Sequence, residues 1–534
     1  MPATTRSRSR STRRAVIPGL TALALVVAAV PATAAPTGSG DAAPTGSALG
    51  AGPPGLEPRL VPPVLLRHLD LREHAEPDAF YRPQLQFGDL DGDGRHTDFV
   101  RYANSTRMQA FRYSGGDDVE LLWDYAAPVE LPPPPDRYQY KYTLWDVDSD
   151  GRTEVVGPFA TASGTVELRV LDGLTGAVEH VVATDVPNPV SDDRVDEWRL
   201  KVTVADVRGL GHPSDIVLLT ENNSYGDLYV YTDDLTPLWD TTGDNSPESG
   251  GSAAPGGEGG KDRIYAHYPW NADIDGDGRD EFIGTWALDD DGSRMFRITP
   301  PEWEEFDYFY DHVDRAFVGD LDRRPGEEIL VSHEFLEAAL LSSDGTVRWT
   351  RPNVDGDAKL TAVGNFTLTN PGFELPFLEP LSDTTGLLDI DDELLRSVPR
   401  VRDGYPIDWD GDRRVDELFV PRSGGISTPW NGAGIELEDD YDADRLTPYA
   451  EGMRLYAHAL DLVGDFREEV VIVDEDEVLV YGAAGRARGH HRSPWHDPGY
   501  REAIANTMND NHPERPWFDW RRIGRLPAGG HPGR

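Results

Sequence analysis

Short apolar runs recur along the chain, and each is followed by an acidic or glycine-rich loop and then by a second apolar run. The pattern is clearest in "WDVDSDGRTEVVG" from Trp145 and "ADIDGDGRDEFIG" from Ala272. The runs are short and rich in β-branched and aromatic residues, which favours strands over helices. The pattern therefore predicts strands joined in pairs by the polar loops.

Eight such units follow one another, and the steps between their loops are 57, 60, 67, 47, 45, 43 and 53 residues. A unit of this length has room for four short strands. Eight of them predict an all-β fold, an eight-bladed β-propeller with calcium-binding acidic loops. The first loop residues are Asp89, Asp146, Asp206, Asp273, Asp320, Asn365, Asp408 and Asp461.

Four of the loops carry the oxygen pattern of a calcium site. Oxygens at positions 1, 3, 5 and 9 of a tight loop converge on one hard cation, together with the carbonyl of position 7. In the loop from Asp273 the last acid opens a strand instead of a helix, so we expect a structural ion and not a helix-moving switch. The predicted ligands are Asp89, Asp91, Asp93 and Asp98; Asp146, Asp148, Asp150 and Glu154; Asp273, Asp275, Asp277 and Glu281; and Asp408, Asp410, Asp412 and Asp416.

Other loops are incomplete. The loops at Asp206 and Asn365 have lost most of the acids and are expected to keep only the turn. The alternative for every loop is an acidic turn without metal. Converging carboxylates would then repel one another, which disfavours that alternative for the four full loops and leaves both open for the partial ones. The partial sites are Asp320, Asp322 and Glu328, and Asp461, Asp465 and Glu469.

The 534-residue chain has a net charge of −45 and no cysteine. This charge excludes free nucleic acid as a partner, because binding to polyphosphates depends on clustered cations. It would also destabilise a compact state unless cations neutralise part of it. Without disulfides, an exported protein needs another cross-link, and extracellular calcium can supply one.

The N-terminus has the features of an export signal. Basic "RSRSRSTRR" precedes the apolar run "AVIPGLTALALVVAAV" and the small-residue stretch "PATAAPTG". We expect a secreted protein, exported by a twin-arginine or a general secretory signal, with no membrane association after signal removal. The run is short and interrupted by Pro18, which disfavours a membrane anchor. The expected organisation is a signal peptide (1–35), a flexible linker (36–60), the propeller (61–495) and a closing helix and tail (496–534), with Asp497 as the helix cap.

Several segments together resemble the rhamnogalacturonan lyases of polysaccharide lyase family 11, which are eight-bladed propellers. They are "ADIDGDGRDEFIGTWALDDDGS", "HVDRAFVGDLDRRPGEEILVSHE", "DWDGDRRVDEL", "ALDLVGDFREEVVI" and "HDPGYREAIANTMNDNHP". Their order and separation also agree, from about Tyr265 to His512. Before Tyr265 the agreement is looser.

The resemblance implies a secreted, calcium-dependent lyase that cleaves an acidic plant polysaccharide of the rhamnogalacturonan type by β-elimination. The family's functional strip falls on 450–454, where Met453 and Arg454 replace Thr and Lys, and a family tyrosine falls on Asn509. The candidate catalytic residues are Arg454, His312 and His267, and the candidate substrate-binding residues are Gly452, His458, Arg501 and Asn506.

Two other functions stay open at this point. The changed strip also fits a non-catalytic propeller that binds a glycan or a protein. A lyase or glycosidase for the rhamnose–glucuronate caps of arabinogalactan is the other alternative.

Overall fold

The structure is a computed structural model of the 534-residue chain. The residues that it describes are 60–74, 84–104, 107–126, 140–161, 165–187, 198–222, 225–241, 266, 268–284, 286–298, 313–333, 337–352, 362–367, 370, 372–378, 384–399, 404–412, 417–420, 425–429, 433–437, 457–474, 476–487, 492–509 and 513–520.

Eight small sheets follow one another along the chain and form the blades of a propeller. The strands of blades 1 to 4 are β2 (Gln84–Gly88), β3 (Asp98–Asn104), β4 (Arg107–Tyr113) and β5 (Val119–Ala126); β7 (Thr143–Trp145), β8 (Glu154–Ala160), β9 (Thr165–Asp172) and β10 (Val178–Pro187); β11 (Trp198–Ala205), β12 (Asp215–Asn222), β13 (Tyr225–Tyr231) and β14 (Pro237–Asp240); and β15 (Trp270–Ala272), β16 (Glu281–Ile283), β17 (Trp286–Leu288) and β18 (Arg294–Arg297).

The strands of blades 5 to 8 are β19 (Val313–Gly319), β20 (Glu328–His333), β21 (Glu337–Ser342) and β22 (Val347–Pro352); β23 (Glu374–Leu378), β24 (Thr384–Asp389) and β25 (Leu394–Pro399); β26 (Tyr405–Ile407), β27 (Glu417–Val420), β28 (Gly425–Thr428) and β29 (Ala433–Glu436); and β30 (Ala457–Leu460), β31 (Glu469–Asp474), β32 (Glu477–Ala483) and β1 (Pro63–Asp70).

Each blade is an antiparallel meander that runs from an inner to an outer strand. Two blades depart from this plan. In blade 6 the inner strand is reduced to a bridge between Gly364 and Glu374, and blade 3 gains a short parallel neighbour, β6 (Tyr140–Lys141), beside β11. The eight blades confirm the predicted propeller.

The N-terminal strand closes the ring. Strand β1 pairs antiparallel with β32, so the outer strand of the last blade comes from the beginning of the fold. This joins the two ends of the ring by backbone hydrogen bonds. The sequence repeat does not show this closure, because β1 carries no acidic loop.

The core lies between neighbouring blades. A blade packs on both of its faces, so its central strands are largely buried, and every residue of β20 is buried, including three polar ones. Outer strands keep exposed positions, such as Val181 in β10 and Leu394 in β25. Tyr268 and Trp270 are also buried, as expected for aromatic residues that enter a blade.

The predicted closing helix is present as α1 (Pro498–Ala505). The Asp497 side chain accepts a hydrogen bond from the Gly499 N–H and caps the helix, and Pro498 occupies its first turn. The tail continues as the strands β33 (Met508–Asn509) and β34 (Pro513–Glu514), and two 3₁₀ turns cover Arg72–His74 and Pro494–His496. In the described part of the chain, no helix is long and apolar enough to span a bilayer.

Candidate functional site: repeated acidic loops and the closing helix

The acidic loops occupy the same place in all eight blades. Each one connects the inner strand, or the bridge that replaces it in blade 6, with the second strand. The second strand always opens with an acid, and each of these acids is at most 5% exposed. We call them the opening acids: Asp98, Glu154, Asp215, Glu281, Glu328, Glu374, Glu417 and Glu469.

The backbone of the loops is also repeated. Its fourth residue adopts a positive φ in all seven loops where the structure describes it, a conformation that favours glycine. Five of these residues are glycines, and Ser149 (62°) and Arg323 (64°) are the two others. The repeated turn aims the side chains of the first and third residues toward the opening acid.

In at least four of the described loops these carboxylates meet. Ligand oxygens of each group lie within 4.8 Å of one another, as expected for one shared ion. This confirms that the predicted acids cluster in these loops. The groups are Asp89, Asp91 and Asp98; Asp146, Asp148 and Glu154; Asp273, Asp275 and Glu281; and Asp320, Asp322 and Glu328.

One oxygen of the opening acid accepts hydrogen bonds from the loop backbone. The other oxygen remains for a cation. In blade 4, Glu281 Oε2 accepts the Ile274 N–H at 2.6 Å, whereas Oε1 is buried and has no hydrogen-bond partner among the described residues. Glu469 in blade 8 repeats this arrangement with Leu462. Asp146 Oδ1 is another buried oxygen for which the described part of the chain supplies no partner. Buried acceptors of this kind fit a hard cation such as calcium, because an unpaired buried carboxylate oxygen is costly.

The electrostatics agree with that fit. Burial, and then the neighbouring carboxylates, raise the pKa of Glu154 and of Glu281 to about 8. Burial raises the pKa of Asp98 and of Asp461 to about 7. Without a cation these groups would therefore resist ionisation near neutral pH.

The fifth-position acids are held differently. Asp93, Asp150 and Asp277 are exposed, and each accepts the backbone N–H of the residue two places later at 2.8–3.0 Å. The prediction that they turn inward with the other ligands stays untested. Each forms a local turn that competes with ligation.

The loops of blades 7 and 8 fit the prediction less completely. In blade 7, Asp408 accepts the Gly411 N–H and Asp410 accepts the Asp412 N–H. Asp416 lies outside the described residues, and the next residue, Glu417, is the opening acid. In blade 8, Asp461 accepts the Gly464 N–H, and Asp465 forms an ion pair with Arg467.

Blade 3 replaces the ion by an arginine. Its third loop residue is Arg208, whose Nε donates to the opening acid Asp215 at 2.6 Å and whose other terminus contacts Asp233. Asp215 is fully buried, so the guanidinium supplies the positive charge inside the loop. This agrees with the expectation that the loop from Asp206 keeps only the turn.

Blades 5 and 6 use two further arrangements. In blade 5, Arg348 from the outer strand contacts Asp322 at 2.7 Å and Glu328 at 3.2 Å, so a guanidinium occupies part of the acidic cluster. In blade 6 the third residue is Thr367, whose backbone N–H and hydroxyl both donate to Glu374. Burial raises the pKa of Glu374 to about 7, which favours its neutral form.

Helix α1 binds to the inner strands from the side of the loops. The Asn506 amide exchanges two hydrogen bonds with the backbone of Val204, as Oδ1 accepts the N–H and Nδ2 donates to the carbonyl. Lys141 and Thr143 both donate to the Ala505 carbonyl at the end of the helix. The buried Lys141 ammonium thus faces the negative end of the helix dipole.

The described residues place three of the four predicted substrate-binding residues. His458 is 2% exposed in β30 and packs edge-on against Phe87, while Asn506 anchors the helix to Val204. Arg501 lies beside the acidic loops of blades 1 and 2. Their roles in substrate binding stay predictions. Gly452, Arg454, His267 and His312 lie outside the described residues.

Sequence reasoning missed several groups at these loops. Glu417 could have been found from the strand register, because it begins an apolar run as the other opening acids do. Asp289, Asp290 and Asp291 form a further acidic group in the outer turn of blade 4, within the quoted segment "WALDDDG". The contact of Arg348 with blade 5 acids carries no sequence signal, because it comes from another strand.

Comparison with known proteins relates this architecture to one family. The model of "Rhamnogalacturonan lyase family 11, C-terminal domain" matches residues 257–520. Rhamnogalacturonan endolyase YesW of Bacillus subtilis is 26% identical over 486 residues, which cover 78% of this chain and 70% of that protein. Rhamnogalacturonan exolyase YesX of the same organism is 23% identical over 502 residues, 83% of this chain and 78% of that protein.

A solved structure agrees in fold. The rhamnogalacturonan lyase PL11 of Bacillus licheniformis superposes with a TM-score of 0.60 at 21% identity, covering 84% of this chain and 81% of that one. Three kinds of evidence therefore converge: the eight blades, the acidic loops, and similarity along most of the chain. The chain is similar to the family 11 rhamnogalacturonan lyases, whose C-terminal domain model it matches over residues 257–520.

Proposed function

We propose that the chain is a secreted polysaccharide lyase that cleaves a rhamnogalacturonan-type pectic chain and is stabilised by calcium. The observation that carries this proposal is the similarity to two rhamnogalacturonan lyases over more than three quarters of the chain. The retained carboxylate clusters support the calcium part of the proposal. Export is supported by the signal-like N-terminus.

The proposed reaction is a β-elimination at a uronic acid residue. A base removes the C5 proton, the C4–C5 double bond forms, and the C4–O4 bond breaks as O4 takes the electron pair and then a proton. Calcium at the substrate carboxylate would make the C5 proton more acidic. Arg454 is proposed to hold that carboxylate through a bidentate contact, and His312 or His267 to act as the base, since imidazole titrates near neutrality.

Buried cations on the inner strands support an acidic substrate. Lys141, Lys201 and Arg315 each stand five residues before the first loop residue of their blade, and each is at most 2% exposed. Lys141 and Lys201 are register partners on neighbouring strands. In a chain with a net charge of −45, these cations raise the potential near the axis of the ring and favour a polyanion there.

A non-catalytic glycan-binding propeller is the second candidate. The substitutions at Met453, Arg454 and Asn509 favour it, because they fall on segments where the resemblance places substrate contacts.

The test is incubation of the protein with rhamnogalacturonan, other pectins and gum arabic, with calcium and with chelator. A lyase produces an unsaturated uronate that absorbs in the ultraviolet. Reducing ends without this absorbance would indicate hydrolysis instead. Retention of a glycan without any product would support the binding candidate and contradict the lyase.

A further inference from the structure

A solvent-open cleft of about 450 Å³ lies on the loop side of the ring, between the acidic loops of blades 1 and 2 and the turn before α1. We call it the loop-face cleft. Its rim includes the exposed residues Gly94, Ser149 and His496. The loops that line the cleft follow the inner strands of blades 1 and 2 in the chain.

The walls of the cleft are aromatic and fixed in place. Trp145 donates its indole N–H to the Pro213 carbonyl, and Trp495 donates to the Asp461 carbonyl, both at 2.6 Å. Phe87 and Leu144 add buried apolar surface. Both indoles are at most 9% exposed, and His96 stacks on Trp495 with 5.1 Å between the ring centroids, so the tryptophans fix the shape of the cleft and leave the contacts with a ligand to its polar groups.

The polar groups of the cleft are mainly nitrogen donors. Arg501 and three histidines, His96, His212 and His496, line the same space. Arg501 donates one N–H to the Trp495 carbonyl, and a guanidinium has five N–H groups, so the described part of the chain leaves donors for a ligand. The histidines can donate even when neutral, and His212 contacts the Ser149 hydroxyl at 2.6 Å.

The two acids that reach the cleft do not cancel this character. Asp89 accepts hydrogen bonds from the Asp93 and Gly94 N–H groups of its own loop. Asp146 accepts the Gly151 N–H and belongs to the blade 2 cluster. Asp89 therefore uses both oxygens inside its loop, and the second oxygen of Asp146 is left for the cation of its own cluster.

From these contacts we infer that the loop-face cleft is a second glycan-binding site, which takes a uronic acid residue with its carboxylate on Arg501 and its hydroxyls on the imidazole of His212. A neutral sugar lacks the group that the guanidinium binds. A simple anion lacks the hydroxyls that the histidine contacts. The choice of a uronate rests on the proposed function, since such residues occur in the proposed substrate. A site here would hold a polysaccharide to the enzyme apart from the reacting bond.

The test is calorimetric titration of the calcium-saturated protein with D-galacturonate, D-galactose and acetate. We expect Arg501→Gln to weaken binding of galacturonate at least tenfold, because a charge-assisted hydrogen bond is lost. His212→Asn changes the opposite wall of the cleft and should weaken galacturonate binding several-fold. The matched control is Arg279→Gln, which removes an exposed arginine from the loop of blade 4, outside the cleft, and should leave the affinity unchanged.

Three results would overturn the inference. The first is unchanged galacturonate affinity in both Arg501→Gln and His212→Asn. The second is equal affinity for acetate or galactose. The third is binding that a chelator abolishes but that neither substitution affects, since the sugar would then bind a calcium ion. If Arg501→Gln does not fold, His212→Asn alone decides.

The inference and the proposed function fail separately. If the wild-type protein yields no unsaturated uronate but the substitutions weaken binding, the result supports the binding site in the cleft and contradicts the lyase proposal. If the wild type is an active lyase and the substitutions leave binding unchanged, the result contradicts the binding site in the cleft and supports the lyase proposal.

Discussion

The loops of blade 4 and blade 3 both enclose a buried opening acid, but they compensate its negative charge in different ways. Both have an opening acid that is fully buried, Glu281 in one and Asp215 in the other. In blade 4 the third residue is a second acid, Asp275, and one oxygen of Glu281 is left for a cation. In blade 3 the third residue is Arg208, which binds Asp215 directly. One position therefore determines whether the positive charge comes from solution or from the chain.

Blade 6 adds a third answer. Thr367 occupies the same third position and gives two hydrogen bonds to Glu374, whose raised pKa favours a neutral acid. The opening acid is thus common to all eight blades, and its compensation varies. We expect calcium to matter only where that compensation is missing.

Chelation should have the largest effect. With calcium tenfold above its dissociation constant, each filled site contributes about 1.4 kcal/mol, so the three clusters of blades 1, 2 and 4 contribute about 4 kcal/mol. Thermal melts with calcium and with chelator measure this. An unchanged melting temperature would contradict the view that ions hold these loops.

The ionisation of Glu374 should have the second-largest effect on stability. Its pKa is about 7 when folded and about 4.5 when unfolded, so the folded state binds the proton more tightly and stability is lost as the pH rises from 4.5 to 7. The loss is about 3 kcal/mol at most. Glu374→Gln removes this loss of stability with rising pH. In calcium, the variant should therefore be more stable than the wild type at pH 8 and equally stable near pH 4.5. Parallel curves of stability against pH would refute this.

Neutralising the opening acids should separate blades 3 and 4. Asp215→Asn weakens a buried hydrogen-bonded ion pair and should cost about 2 kcal/mol with or without calcium. Glu281→Gln should lose the response to calcium of about 1.4 kcal/mol. In chelator near neutral pH it should be at least as stable as the wild type, because the raised pKa of Glu281 opposes folding there. Denaturant unfolding in both buffers measures these differences. Equal calcium dependence in the two variants would contradict the distinction between an ion in blade 4 and an arginine in blade 3.

Removing the arginine of blade 5 should convert one kind of loop into the other. Arg348 contacts Asp322 and Glu328, where the ion would lie. Arg348→Gln should lower stability in chelator and increase the stabilisation by calcium by about 1.4 kcal/mol, as one more site fills. A calcium response equal to that of the wild type would show that the guanidinium does not take the place of an ion.

The smallest effect concerns the turn itself. Ser149 has a φ of 62° at a position where blades 1 and 4 have glycine. Ser149→Gly should stabilise the protein by roughly 0.5–1 kcal/mol, because the strain exceeds the entropy cost of glycine. Destabilisation in a thermal melt would show that the contact with His212 outweighs the strain.

The propeller and most acidic clusters were predictable from the sequence, because the repeat length and the alternation of apolar and acidic residues are local properties. Which residue opens each second strand is less clear from the sequence, because two acids such as Asp416 and Glu417 can stand side by side at that point. The closure by β1, the Arg348 contact and the position of Arg501 depend on tertiary packing. Local patterns carry no record of such packing.

The most direct test of the repeated-loop account is an anomalous diffraction map of crystals grown with calcium. The account predicts peaks among Asp89, Asp91 and Asp98, and at the equivalent acids of blades 2 and 4, and none beside Asp215 or Glu374. A peak beside Asp215 or Glu374, or empty clusters in blades 1, 2 and 4, would contradict it.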